Sequence, residues 1–135
     1  MPGLRPLRST LIAVALAVLP LAACATTPAV ESLMVTASAY NSVPGQTNHR
    51  PSVAAWGDRL EPGMNAIAVS PDLLDAGLAR GSRVRIDGLP GEYIVLDRMP
   101  DRWQKRIDIY MGNDVPAALQ WGVRDVRIHW VPVKD

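Results

Sequence analysis

Cysteine is nearly absent from this chain of 135 residues, in which Cys24 stands alone. No internal disulfide can form, so the fold must be held by a packed core. Histidine is scarce as well. With only His49 and His129, a His-rich zinc site lacks ligands, and with Cys24 consumed at the start of the mature chain, as argued below, a Cys-His nucleophilic site is excluded. His129 falls on the polar side of an alternating run and reads as solvated, whereas His49 lies in a long irregular stretch where contact with a ligand stays open. Ser70 and Ser82 have no nucleophile-elbow sequence around them. Charge of one sign is also lacking, since fourteen Lys and Arg face thirteen Asp and Glu. That near balance lacks the basic footprint of a general nucleic-acid binder. The longest apolar run, residues 11–23, is too short to span a bilayer as a stable helix. For chemistry, the carboxylates remain.

What is present divides into a leader and one domain. Arg5 and Arg8 precede the apolar run, which ends in Leu21-Ala22-Ala23-Cys24, and together they read as an export signal over residues 1–23. The ending resembles the lipobox of bacterial lipoproteins, which implies that Cys24 becomes the acylated first residue; an ordinary signal cleaved nearby would instead leave a stray thiol. Several acyl chains on one residue would make a stable anchor. Ala25, rather than Asp, favours the outer membrane by resemblance to known sorting rules. Removing residues 1–23 leaves 112 residues and takes the basic count to twelve against thirteen acids. That length suits a single domain with its own core. Residues 24–32 read as a tether, and 33–135 as the domain.

Within that domain, apolar residues alternate over six short runs: 33–40, 66–70, 83–88, 92–97, 106–111 and 125–131. In the last, Val126, Ile128 and Trp130 share one face and Asp125, Arg127 and His129 the other, as a half-buried strand requires. Turn pairs Pro62-Gly63, Asp87-Gly88 and Pro90-Gly91 separate the runs. Two short helices interrupt them, one over 71–76 with Ser70 as N-cap and one over 115–121 capped by Asp114, each ended by a glycine. The content of 48% hydrophobic residues argues against disorder, while twelve Pro and ten Gly imply many turns. The pattern predicts a mainly β, six-stranded compact barrel with one or two short helices and no internal repeat. The irregular stretch 41–65 is the natural place for a functional loop.

Two carboxylates stand out on these strands. Alternation sets Asp97 on the face of Tyr93 and Val95 at the end of a very apolar run, where burial would raise its pKa. Asp108 falls opposite Ile107 and Ile109, on a polar face beside Arg106 and Tyr110. One desolvated and one polar carboxyl is an arrangement in which an acid can donate a proton near neutral pH. Equally, each could cap a strand or accept backbone N–H groups. Arg98, next to Asp97, could keep that carboxylate ionised. Trp103 and Trp56 could stack on a sugar ring or simply pack against the barrel. Tyr110 and Arg98 complete the candidate substrate contacts.

The segments TASAY, WGDRLEPGMNAIAVSPDLL, GSRVRIDGLPGEYIVLD, RIDIYMG and ALQWGVRDVRI occur in this order across nearly the whole mature chain. In this they resemble the three-aspartate (3D) domain. That domain is a double-psi β-barrel found in membrane-bound lytic transglycosylase A and is similar in fold to rare lipoprotein A and expansins. The resemblance implies that Asp97 and Asp108 match the family's second and third aspartates, with Asp97 as acid/base and Asp108 orienting it or binding sugar hydroxyls. Two departures accompany it: Ser70 stands where the first aspartate is expected, with Asp72 two residues on, and the loop from Arg98 to Trp103 replaces a glycine-rich turn. The implied function is a lipid-anchored envelope protein that cleaves the peptidoglycan glycan strand to a 1,6-anhydro product. That reaction asks for no metal or cofactor. The alternative is a non-catalytic glycan-binding module using the same groove. Peptidoglycan is the expected partner, the membrane is touched only through the anchor, and nucleic acid is excluded.

Overall fold

The structure, a computed structural model, describes residues 3, 9–20, 27–43 and 52–134. Cys24 and His49 lie outside the described residues, as do most of the export signal's basic region and the start of the expected tether. In chain order the elements are β1 (Glu31–Tyr40), β2 (Ala66–Val69), α1 (Pro71–Asp75), β3 (Arg83–Ile86), β4 (Tyr93–Arg98), β5 (Arg106–Tyr110), α2 (Val115–Trp121) and β6 (Arg124–Trp130). All six alternating runs are strands. β1 starts at Glu31, so two residues assigned to the tether already pair with β6 through Glu31 and Trp130 and through Ser32 and His129. Among the described residues no helix is long and apolar enough to cross a membrane.

The strands close into a ring in the order β1-β5-β2-β4-β3-β6. β1 runs parallel to β5 and β2 parallel to β4, and the other four pairings are antiparallel. This mixed, closed six-stranded barrel with two short helices is the double-psi architecture expected from the sequence. The ring also contains a two-fold relation. Exchanging β1 with β4, β2 with β5 and β3 with β6 reproduces every pairing and its direction, and each half carries a short helix with proline in its first turn.

Alternation fills the interior as predicted. Val35 and Ala37 of β1, Ile67 and Val69 of β2, Val84 and Ile86 of β3, Val95 of β4, Ile107 and Ile109 of β5, and Val126, Ile128 and Trp130 of β6 form the main core with Leu73 and Leu78. A second, smaller cluster lies on the outer face, where Ala54 and Leu60 cover Ala66 and Tyr110 beside Tyr40, Met64 and Leu96. This patch is where residues 52–60 fold down as a tight turn, closed by the Val53–Arg59 bridge and by Leu60 N–H donating to Ser52 O at 2.7 Å.

Two local expectations change. Ser70 occupies the N-cap position of α1 without capping it; its hydroxyl instead accepts the Arg106 N–H at 3.0 Å, tying β2 to β5. His129 is not simply solvated, because its ring nitrogens meet Ser32 Oγ at 2.7 Å and Asp87 Oδ1 at 2.8 Å. Asp114 does cap α2, accepting from Ala117 N–H at 3.0 Å.

Candidate functional site

The position of Asp97 turns on one extra residue. Ile67 pairs with Val95, but Ala68 pairs with Asp97, so Leu96 is a bulge in β4. Strict alternation would have put Asp97 on the inner face with Val95. Because two residues of a bulged strand oppose one of its partner, the alternation slips, and Asp97 joins Ala68 on the outside of the barrel. The inward placement expected from the sequence is thereby corrected. On the other side of β2, Ala68 pairs with Asp108, and Asp108 pairs with Ser38 of β1. Four adjacent strands therefore present Ser38, Asp108, Ala68 and Asp97 in one row. The two carboxylate-bearing Cα atoms are two strand spacings apart, about 10 Å. Between them Ala68 offers only a methyl group.

Asp97 is desolvated as expected, although on the outer face, while Asp108 differs from the polar environment expected of it. Asp97 Oδ1 accepts the N–H groups of Ala55 at 2.7 Å and Arg98 at 2.9 Å. Burial pushes its pKa up, these two bonds pull it down, and the nearby Asp58 charge raises it again. Asp108 is the more perturbed of the pair. Burial, resisted by the Ser38 hydroxyl donating at 3.2 Å and by the Arg106 charge and reinforced by the Asp97 charge, moves it from 3.8 to about 6. Asp108 was expected on a polar face; it does point away from the core, yet α2 and β1 desolvate it. The carboxyl poised to hold a proton near neutrality is Asp108 rather than Asp97.

Tyr40 is the residue that sequence reasoning missed. It follows Ser38 on the same face of β1 and pairs with Tyr110, the two rings lying 5.4 Å apart. Its hydroxyl is buried with no hydrogen-bond partner among the described residues. Burial first, and then the charges of Asp97 and Asp108, hold that hydroxyl protonated far above the usual phenol range. A signal existed in Thr36, Ser38 and Tyr40, which alternate with the apolar Val35 and Ala37. Nothing in the run alone showed that Ser38 and Tyr40 face the two aspartates.

The other candidates are dispersed. Tyr110 is 3% exposed, and its hydroxyl lies 2.7 Å from Ser42 Oγ, so it belongs to the wall and not to an open contact surface. Arg98 reaches Asp97 only through its backbone N–H; its guanidinium binds Asp101 at 2.8 Å. Trp103 carries the Arg106 guanidinium 4.0 Å from its ring centre and that of Arg102 at 5.2 Å, which leaves it less free to stack on a sugar. Trp56 packs against the main core. Ser70, in the place of the family's first aspartate, is fully buried. The turn at 52–60 is anchored by Asp58, which takes Arg80 in a two-pronged ion pair at 2.6 and 2.8 Å, and so holds Ala55 N–H on Asp97. Among the described residues no group of three His, Cys, Asp or Glu could hold a metal ion.

No family model matches the chain, and no curated protein matches it. Among solved structures it is similar to the expansin of Clavibacter michiganensis in its apo form, at 22% identity and a TM-score of 0.46 over 78% of this chain and 52% of that one. A mutant of that expansin in complex with cellohexaose is similar at 20% identity and a TM-score of 0.44 over the same shares. The chain thus spans about half the length of these structures.

Proposed function

We propose that this chain is a glycan-binding module of the cell envelope whose binding face is the outer row of Ser38, Asp108, Ala68 and Asp97. The observation that carries the proposal is the row itself. Two carboxylates and two hydroxyls, those of Ser38 and of Tyr40, the latter without a partner among the described residues, converge on one strip across β1, β5, β2 and β4. Sugar rings present neighbouring hydroxyls that need both donors and acceptors, and a carboxylate accepts two of them at once. Residues 24–30 and an acylated Cys24 would hold the barrel near a membrane, with peptidoglycan strands as the nearest long glycan. The test is co-sedimentation of the full chain with purified peptidoglycan. We expect retention that falls in both Asp97→Asn and Asp108→Asn, and retention unchanged in both would overturn the proposal.

A catalytic reading is favoured by one observation, the Asp108 carboxyl at about 6. A carboxylic acid still partly protonated near neutrality can protonate the glycosidic oxygen between N-acetylmuramic acid and N-acetylglucosamine. As its carboxylate it can then accept the proton of the muramyl C6 hydroxyl as that oxygen closes the 1,6-anhydro ring. Because the nucleophile belongs to the substrate, a second catalytic carboxylate is unnecessary, unlike hydrolysis by a carboxylate pair. Asp97, fixed by two backbone N–H groups, would then position sugar hydroxyls, which reverses the roles implied by the three-aspartate resemblance. Mass spectrometry of digests for anhydro-muropeptides decides between binding alone and cleavage.

A further inference from the structure

A groove of about 420 Å³ opens beside this row, between β1 and α2, and none of the five site residues predicted on the barrel other than Asp108 lines it. Its floor is polar, made by Tyr40, Asn41 and Asp108, and its wall is Val115, Ala118 and Leu119 of α2. The wall residues follow i, i+3, i+4 spacing, so they form one apolar stripe along the helix. In an ordinary surface helix that stripe is covered by the core. Here α2 buries none of its residues, and Leu119 is 77% exposed.

The helix is nevertheless fixed in place, so the groove is preformed. Asp114 caps its start, Trp121 Nε1–H donates to Ala37 O at 3.2 Å, and Arg124 stacks 3.9 Å over the Trp121 ring. On the floor, the Asn41 amide donates to the carbonyls of Met111 and Gly112 at 3.3 and 3.1 Å, which locks the turn after β1. Among the described residues the Tyr40 hydroxyl is left as a buried donor without a partner, and it feels the charge of the Asp108 carboxyl, which can accept.

We infer that this groove is a subsite for the N-acyl group of an amino sugar, with Tyr40 and Asp108 reading the amide and the α2 stripe holding the acyl methyl. The inference rests on the glycan-binding reading above and names the sugar class that the face selects. An acylamino substituent has three parts: an N–H donor, a carbonyl acceptor and a small apolar end. The groove supplies their complements in the same order, an acceptor at Asp108, a donor at Tyr40 and an apolar wall. A plain hexose presents a hydroxyl there, which satisfies Asp108 but leaves the wall wet and Tyr40 unpartnered. Leaving a buried polar group unpaired is what makes a site reject an analogue.

The test is an NMR titration of the full chain with the trimer of N-acetylglucosamine and the trimer of glucose, together with saturation transfer to ligand protons. The acetylated trimer should bind roughly tenfold tighter, and its acetyl methyl protons should receive the strongest saturation. Leu119→Asp, on an exposed helix position, should bring the two affinities within about twofold while the thermal midpoint stays unchanged. Tyr40→Phe removes only an unpartnered hydroxyl, so it should weaken the acetylated trimer several-fold without lowering stability. Equal affinity for both trimers, or a preference that survives Leu119→Asp, would overturn the subsite and leave glycan binding standing. Binding of neither trimer would overturn both.

Discussion

Replacing Asp108 with Asn should stabilise the fold at neutral pH and do nothing comparable in acid. The carboxyl rises from 3.8 to about 6 in the folded chain. A group whose folded pKa is raised binds more protons folded than unfolded. Its contribution is therefore fully present below 3.8 and is lost as the pH climbs to about 6. At 1.36 kcal/mol per unit, the ionised carboxylate costs up to about 3 kcal/mol above that window. Asn keeps the acceptor for Ser38 and carries no charge. The stability gap between Asp108→Asn and wild type should widen by up to about 3 kcal/mol between pH 3.5 and pH 7.5, a difference on the order of 10 °C in Tm. Urea melts of both proteins at half-unit pH steps would measure the gap directly. A gap that is flat across the window would refute the claim that Asp108 is desolvated, and with it the argument for a proton donor at this position.

Other consequences are simpler to check. Gly77→Ala should cost about 2 kcal/mol or more in urea unfolding, because φ is +92° and the new Cβ would lie 2.8 Å from Pro132 Cβ. Ser70→Ala should cost roughly 1–3 kcal/mol, since it strips the buried acceptor from the Arg106 N–H. Trp121→Phe removes the bond to Ala37 O and should cost about 1 kcal/mol while freeing α2, visible as faster amide exchange in that helix. If cleavage occurs, Asp108→Asn should lower anhydro-product formation by roughly 10²- to 10⁴-fold and Asp97→Asn by less. The reverse order would return the acid role to Asp97.

The barrel was legible because each strand carries its own period of two, and Val126, Ile128 and Trp130 declare an inner face without help from any neighbour. The site was legible only in part. Asp97 and Asp108 could be picked out as carboxylates on apolar strands, but their faces could not both be read, because the bulge at Leu96 is a property of the β2–β4 pairing and not of the run 92–97. Desolvation of Asp108 likewise comes from α2 and β1, elements far away in sequence. Tyr40 looked like any strand aromatic until its pairing with Tyr110 and its closeness to both carboxylates appeared. The two-fold relation between the halves left no repeat in the sequence, since Asp97 corresponds to Ser38 and Asp108 to Ala68.

The strand order constrains how this chain can come into being. β1, β2 and β3 make no pairing among themselves, and neither do β4, β5 and β6; every one of the six hydrogen-bonded edges joins one half to the other. A chain emerging amino end first, from a ribosome or through a narrow pore, cannot form a single rung of sheet until β4 has followed. It cannot close the ring until β6 is out. Loop-closure entropy is then met before any sheet contact repays it, which makes folding late and all-or-none. Such a chain remains threadable for nearly its whole length, and a fragment cut anywhere before β6 has open edges to offer to a neighbour instead of a barrel.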